Sequence, residues 1–177
     1  MSDARMLKML RRVMMPSIVV TAYCLIKYKC KISPKADVDL NSNLKIGKGS
    51  VVSSFVKIKA NGPMTIGSDV SVGSGCFISS EAGGVEIGDF CMIGSNASII
   101  GNNYRYDQLD VPMCKQDKTS TGIRIGSNVW IGSGCAILDG AQIGSGAIIT
   151  PNSVVSSKIP ENAIAQGNPA KVIFTRR

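Results

Sequence analysis

The chain contains no histidine. Imidazole is the common base near neutral pH and the commonest metal-ligating side chain. Its absence excludes an imidazole base and a histidine-held metal. Aromatic residues make up 5% of the sequence and no nucleic-acid motif occurs, so nucleic acid is not an expected partner. Long apolar runs are missing too. Residues 17–26 form an apolar stretch of about 10, short of the roughly 20 needed to span a bilayer. Arg11 and Arg12 precede that stretch as in a signal peptide. No small-x-small cleavage site follows cleanly, and Tyr23 before Cys24 spoils a lipoprotein-type site, so export is not expected.

What the sequence does have is a repeat. An Ile or Val returns every six positions, often followed by Gly, with a small residue four places on. Ile66-Gly67-Ser68-Asp69-Val70, Ile93-Gly94-Ser95-Asn96-Ala97, Ile131-Gly132-Ser133-Gly134-Cys135 and Ile143-Gly144-Ser145-Gly146-Ala147 show the pattern. It begins at Ile32, slips by two residues between Leu44 and Ile46, and meets longer corners at 61–65 and 81–86. One polar, aromatic stretch, residues 101–122, interrupts it, and the repeat resumes from Ile125 to Val155. A period of six fits a very short strand plus a corner, about three per turn, stacked as a parallel β-solenoid. The first position builds an inward Ile/Val stack, and the fifth sits in a tight corner and must be small. An all-β class follows, in one domain, as the 177 residues allow.

The six cysteines look like a disulfide framework by number but not by position. Cys76, Cys91 and Cys135 occupy the small fifth place, where other repeats carry Ala, Val or Ser, and read as buried fillers. That usage suits a reducing, cytoplasmic compartment.

Net charge is +8, with Arg5, Lys8, Arg11, Arg12, Lys27, Lys29, Lys31 and Lys35 near the start. Met6, Met9, Leu10 and Val13 recur at helical spacing among these bases, so 3–15 reads as a helix. A solenoid end exposes strand edges and needs a cover. Residues 1–31 read as a helical cap, residues 32–177 as the solenoid, and 158–177 as a C-terminal tail. Peripheral membrane contact through 1–31 is a second reading of the same basic segment.

These hexapeptides resemble the left-handed β-helix acyltransferase family. Asn128-Val129-Trp130-Ile131-Gly132 is similar to the family's segment around its single Trp, Ser153-Val154-Val155-Ser156-Ser157 to the segment along its coenzyme A groove, and Gly167-Asn168-Pro169-Ala170-Lys171 to its closing motif. The closest subgroup is the sugar O- or N-acetyltransferases of surface-polysaccharide biosynthesis. The resemblance implies a left-handed parallel β-helix, a homotrimer, acetyl-CoA in grooves between neighbouring solenoids, no metal, and an acceptor site at the interrupting loop. It assigns coenzyme contacts to Gly132, Ser133, Ser156, Ser157, Lys171 and Arg176. Pro151 departs from the pattern, since it has no N–H to offer the pantetheine.

In that family a His near the start of the loop, in a motif of roughly Asn-His, two variable residues and Asp, takes the acceptor's proton. Here the stretch reads Asn103-Tyr104-Arg105-Tyr106-Asp107, with Tyr104 at the His position. A neutral phenol is a poor base at neutral pH. Asp107 is the other candidate base, and an ordinary carboxylate is weak unless burial raises its pKa. Asn96, Asn103, Arg105, Tyr106 and Trp130 are candidate acceptor contacts, with Gln116 a further polar loop group. Two functions follow: acetyl transfer to a sugar hydroxyl or amine, or a non-catalytic trimeric binding or scaffold protein. A zinc carbonic anhydrase of the related β-helix type is set aside, because its site needs histidine.

Overall fold

A computed structural model describes residues 17–177. The helix expected over 3–15 lies outside the described residues. An α-helix, α1, spans Ser17–Tyr28. Cys24 on one side of it is fully buried and Tyr28 packs against the core, so that side covers the first coil.

From Lys31 the chain winds as a parallel β-solenoid with three faces. The first face stacks Lys31–Ile32, Val51–Val52, Ser71–Val72, Met92–Ile93, Trp130–Ile131, Ile148–Ile149 and Ala163–Gln166. The second stacks Asp37–Val38, Lys57–Ala60, Phe77–Ser80, Ser98–Gly101, Ala136–Leu138 and Val154–Val155. The third stacks Leu44–Ile46, Met64–Ile66, Val85–Ile87, Ile123–Ile125, Gln142–Ile143 and Lys158–Ile159. Each coil bonds to the next in register, as where Met92 lies between Ser71 and Trp130. The inward residues, such as Ile78, Ile99, Ile131 and Ile137, are fully buried and form one continuous core.

The three edges of this prism are not equivalent. Across the first edge the inward residues always stand six apart: Ile32 and Val38, Val52 and Ile58, Val72 and Ile78, Ile93 and Ile99, Ile131 and Ile137, Ile149 and Val155. The third edge keeps the same spacing, from Ile46 and Val52 through to Ile159 and Ala165. Across the second edge the steps are 8, 8, 9, 26, 6 and 4 residues: Val38 to Ile46, Ile58 to Ile66, Ile78 to Ile87, Ile99 to Ile125, Ile137 to Ile143 and Val155 to Ile159.

Corner chemistry explains the difference. On the first and third edges a residue at positive φ turns the chain, and a small buried residue follows. Asn96 (φ 60) precedes Ala97, Asn128 (φ 56) precedes Val129, and Asn152 (φ 60) precedes Ser153. Asn accepts the left-handed region more readily than most residues. Phe55 (φ 63) and Phe90 (φ 61) are bulky exceptions, and both are exposed. The second edge keeps this corner only where Gly140 (φ 86) precedes Ala141 in its one six-residue step; on most other coils insertions collect there, where a loop can run over the surface.

Cys76, Cys91 and Cys135 fill the small slot as expected, and each thiol donates to a carbonyl of the next coil at 3.1 Å. Burial pushes all three thiols up, which keeps them protonated and unreactive. The solenoid also runs further than the repeat predicts. Lys158–Ile159 and Ala163–Gln166 belong to the stack, and Lys171–Thr175 folds back antiparallel on the latter to close the end. The four-residue step to Ile159 hides this last coil from a six-residue template. Among the described residues no helix is long and apolar enough to cross a membrane.

Candidate active site

The interruption at 101–122 leaves the second edge between Ser98–Gly101 and Ile123–Ile125, and its base is a built structure. Asn103–Tyr104 pairs antiparallel with Lys118–Thr119. The Ser120 hydroxyl donates to Gly101 O at 2.7 Å and accepts from Gly83 N–H at 2.9 Å, tying the loop to the coil before it. The Asp139 carboxylate, on the coil after it, accepts from Thr121 N–H at 2.8 Å and Gly122 N–H at 2.7 Å. Gln116 closes the tip: its amide donates to Gln108 O and Val111 O, both at 2.8 Å, and it is buried. Gln116 is therefore a staple of the loop, not a polar group turned toward a sugar. Ser120 and Asp139 were invisible in the sequence, because their partners lie 17 to 37 residues away.

Asp139→Ala should strand two backbone donors at a cost of about 1–3 kcal/mol. That loss should fall on the loop base. Amide exchange in 101–122 should quicken while exchange in the inward Ile stack stays slow, as hydrogen-exchange mass spectrometry would read.

Tyr104 is 46% exposed at the mouth of this hairpin, with Lys118 Nζ 5.3 Å from its ring centroid. Lys118 in turn reaches Glu81 Oε1 at 4.0 Å. Asn103 uses its side-chain oxygen to accept from Tyr104 N–H, so its carbonyl end is committed to the turn. Asp107 is gripped by Arg105 in a two-pronged pair of 3.0 and 2.7 Å. The guanidinium hydrogen bonds hold the Asp107 carboxyl below the usual carboxylate range. That shift runs opposite to the rise a catalytic base needs, while both side chains of the pair stay about half exposed. Tyr106 stands 69% exposed beside them.

The remaining sequence candidates fall on other edges. Asn96 is the positive-φ corner of the first edge on the loop's own coil. Trp130 lies outward on the first face between Met92 and Ile148, 48% exposed. Gly132 and Ser133 follow it onto the first edge, with Pro151 on the next coil against Gly132. Lys171 is exposed near that same edge, next to Gln166. Ser156 and Ser157 are exposed on the second edge, beyond the loop. Arg176 is pinned at the third edge, donating to Gly146 O at 2.9 Å. Within one chain the residues thus divide into a first-edge group with Asn96, Ser133 and Lys171, and a second-edge group with Tyr104, Ser156 and Ser157. A shallow recess of about 630 Å³ on the third face, lined by Glu86, Arg124, Gln142, Lys158 and Glu161, holds none of them.

Comparison with known proteins agrees with this architecture. Residues 122–157 match the bacterial transferase hexapeptide, six repeats. The Escherichia coli protein WbbJ, named as an O-acetyl transferase of lipopolysaccharide biosynthesis, is 28% identical over 94% of this chain and 86% of its own length. A Mycobacterium tuberculosis protein named as an acetyltransferase is 31% identical over 77% of this chain, but the match spans only 45% of that protein. The fold is similar to that of AntD, an N-acyltransferase from Bacillus cereus solved with dTDP and coenzyme A. The TM-score is 0.77 at 20% identity, over 88% of each chain. Repeat, three-faced solenoid and relatives converge: residues 122–157 carry the bacterial transferase hexapeptide, and the chain as a whole is similar to the acyltransferases just named.

Proposed function

We propose that this protein is an acetyl-CoA-dependent acetyltransferase acting on a sugar hydroxyl or amine in surface-polysaccharide or glycan biosynthesis. The observation that carries the reading is the stapled loop at 101–122, inserted on the one edge that admits insertions; the sequence resemblance would put Tyr104 of that loop where the family has its base. The name of the Escherichia coli relative supports a polysaccharide acceptor, and the Bacillus cereus enzyme, solved with coenzyme A, supports the acyl donor.

The residues present suit such a donor in kind. Ser133, Ser156 and Ser157 give exposed small walls, and Lys171 gives an exposed ammonium for a phosphate. Arg176 already spends one arm on the Gly146 carbonyl, so Lys171 is the better phosphate partner. Acetyl-CoA supplies an activated thioester; this chain's residues must orient the acceptor and deal with its proton. With Asp107 tied to Arg105, the loop offers no strong base. An amine attacks through its neutral form and sheds its proton afterwards, so this loop suits an amine better than a hydroxyl. Alignment of two bound substrates contributes several kcal/mol in either case.

A homotrimer belongs to the proposal. The two edge groups come together only if the first edge of one copy meets the second edge of another. Exposed apolar side chains on both surfaces support that meeting: Leu109 and Met113 on the loop, Met92 and Trp130 on the first face. Six free thiols suit a cytoplasmic setting.

The missing imidazole favours a second reading, a non-catalytic binding or scaffold trimer. Titration calorimetry with acetyl-CoA on the trimer, sized by sedimentation, tests the first step. Saturable binding that is weakened by Lys171→Ala is expected. No binding would reject both the donor and the enzyme reading.

A further inference from the structure

The positive charge of this chain is confined to one end. Residues 1–50 hold ten of the twenty Lys and Arg but three of the twelve Asp and Glu. Everything after residue 50 is close to balanced. Helix α1 lies at that basic end, against the first coil. Its side chains divide by helical periodicity. Cys24 is buried and Thr21 and Tyr28 are half-buried, one stripe at i, i+3 and i+7 against the solenoid. On the opposite side Val19 is 44%, Leu25 51% and Ile26 79% exposed, with Ala22 exposed between them. Lys29 and Lys31, which follow the helix directly, and Lys35 on the first coil are exposed. An apolar stripe rimmed by lysines is the pattern of a helix lying in a bilayer interface, apolar side down and ammonium groups at the headgroups.

We infer that α1 docks this protein on an anionic membrane surface through Val19, Ala22, Leu25 and Ile26, with Lys29, Lys31 and Lys35 facing the phosphates. One side of the helix caps the solenoid and the other meets the lipid, so the two roles expected for the segment are compatible. Charge decides the occupant. A second copy of this chain would bring the same basic end against itself, whereas an anionic bilayer complements it. Among the described residues no helix is long and apolar enough to cross a membrane, and the attachment inferred for α1 is peripheral and reversible. The loop leaves the solenoid on the fourth coil. Three strand spacings of about 4.8 Å put its base roughly 15 Å along the axis from the first coil. If the proposed acetyl transfer holds, an acceptor anchored in the same bilayer lies within reach of that loop.

The test is vesicle flotation of the full chain on phosphatidylcholine with and without phosphatidylglycerol, which needs no turnover and so stands apart from the enzymatic reading. Binding should appear on the anionic vesicles, fall with added salt as screening shortens, and be at least tenfold weaker on neutral ones. Leu25→Asn with Ile26→Asn should lower the partition coefficient about tenfold. Lys29→Glu with Lys31→Glu should lower it roughly fivefold or more per lysine. Unchanged thermal melting would show that these exposed substitutions leave the fold intact. Equal weak binding to both vesicle types would overturn the proposal, as would full binding by the Leu25→Asn, Ile26→Asn chain. So would a change in oligomer size in that variant without any vesicle binding by the parent, since another copy would then cover the stripe.

Discussion

Tyr104→His is expected to raise acetyl transfer to a hydroxyl acceptor by about 10²–10⁴-fold, the usual yield of a positioned general base. The site is prepared for the change in two ways. The residue sits in a paired strand of the loop base, so its backbone is held, and its ring is half exposed. Lys118 lies 5.3 Å from the ring centroid, and a cation so near keeps an imidazole in its neutral, proton-accepting form. Transfer to an amine should change far less, because the amine does not depend on a base before attack. Tyr104→Phe separates the phenol from the ring: unchanged amine transfer would assign Tyr104 to contact, and a loss would assign its oxygen to chemistry. Initial rates of thiol release with paired amino and hydroxyl sugars measure all of this. Equal rates for Tyr104→His and the parent on every hydroxyl would mean that position 104 does not face the acceptor.

The largest expected effect on stability comes from a single methyl group. A Cβ on Gly94 would stand 2.4 Å from Ser133 N and 2.7 Å from Gly132 C. Both neighbours are backbone of the next coil, and Gly94 N–H is bonded to Ile131 O at 2.7 Å, so neither side can retreat. Gly94→Ala should therefore force two coils apart at the first edge, costing about 3 kcal/mol, at the upper end of overpacking penalties. At this chain length that corresponds to a fall of roughly 10 °C in melting temperature. Gly140→Ala is the control. Nothing lies within 4 Å of its added Cβ, so only the strain of a φ of +86° remains. That should cost about 1 kcal/mol. Thermal melts of the two variants should differ severalfold in their shifts. Equal shifts would show that coil spacing is softer than the register of hydrogen bonds implies.

The contrast between these glycines also marks what the sequence could and could not reveal. A strict period announces itself wherever geometry forces it, and on the first and third edges Asn96, Asn128 and Asn152 each turn the chain so that the next inward residue falls six later. Solenoid, core and small-residue slot were all legible for that reason, including the burial of Cys76, Cys91 and Cys135. The second edge was legible only as a set of irregularities. That all of them share one edge emerges when the coils are stacked. The last coil was missed because the short step to Ile159 breaks the period. Inside the loop, position 104 could be matched to a motif, but the partners of its neighbours could not. Arg105 neutralises Asp107 through side-chain geometry, and Gln116 turns inward to hold Gln108 and Val111. Polar residues read alike in sequence whether they await a ligand or already bond the loop to itself.

Without an imidazole, this fold should favour an amine acceptor. Thiol release from acetyl-CoA, followed with a panel of amino and hydroxyl sugars free and nucleotide-linked, tests it most directly. Turnover on an amino sugar should be at least about 10²-fold above that on the matching hydroxyl, the low end of what a general base supplies. Equal turnover on hydroxyls and amines would overturn that expectation, and acetyl-CoA binding with no turnover on any acceptor would make this protein a binding protein instead.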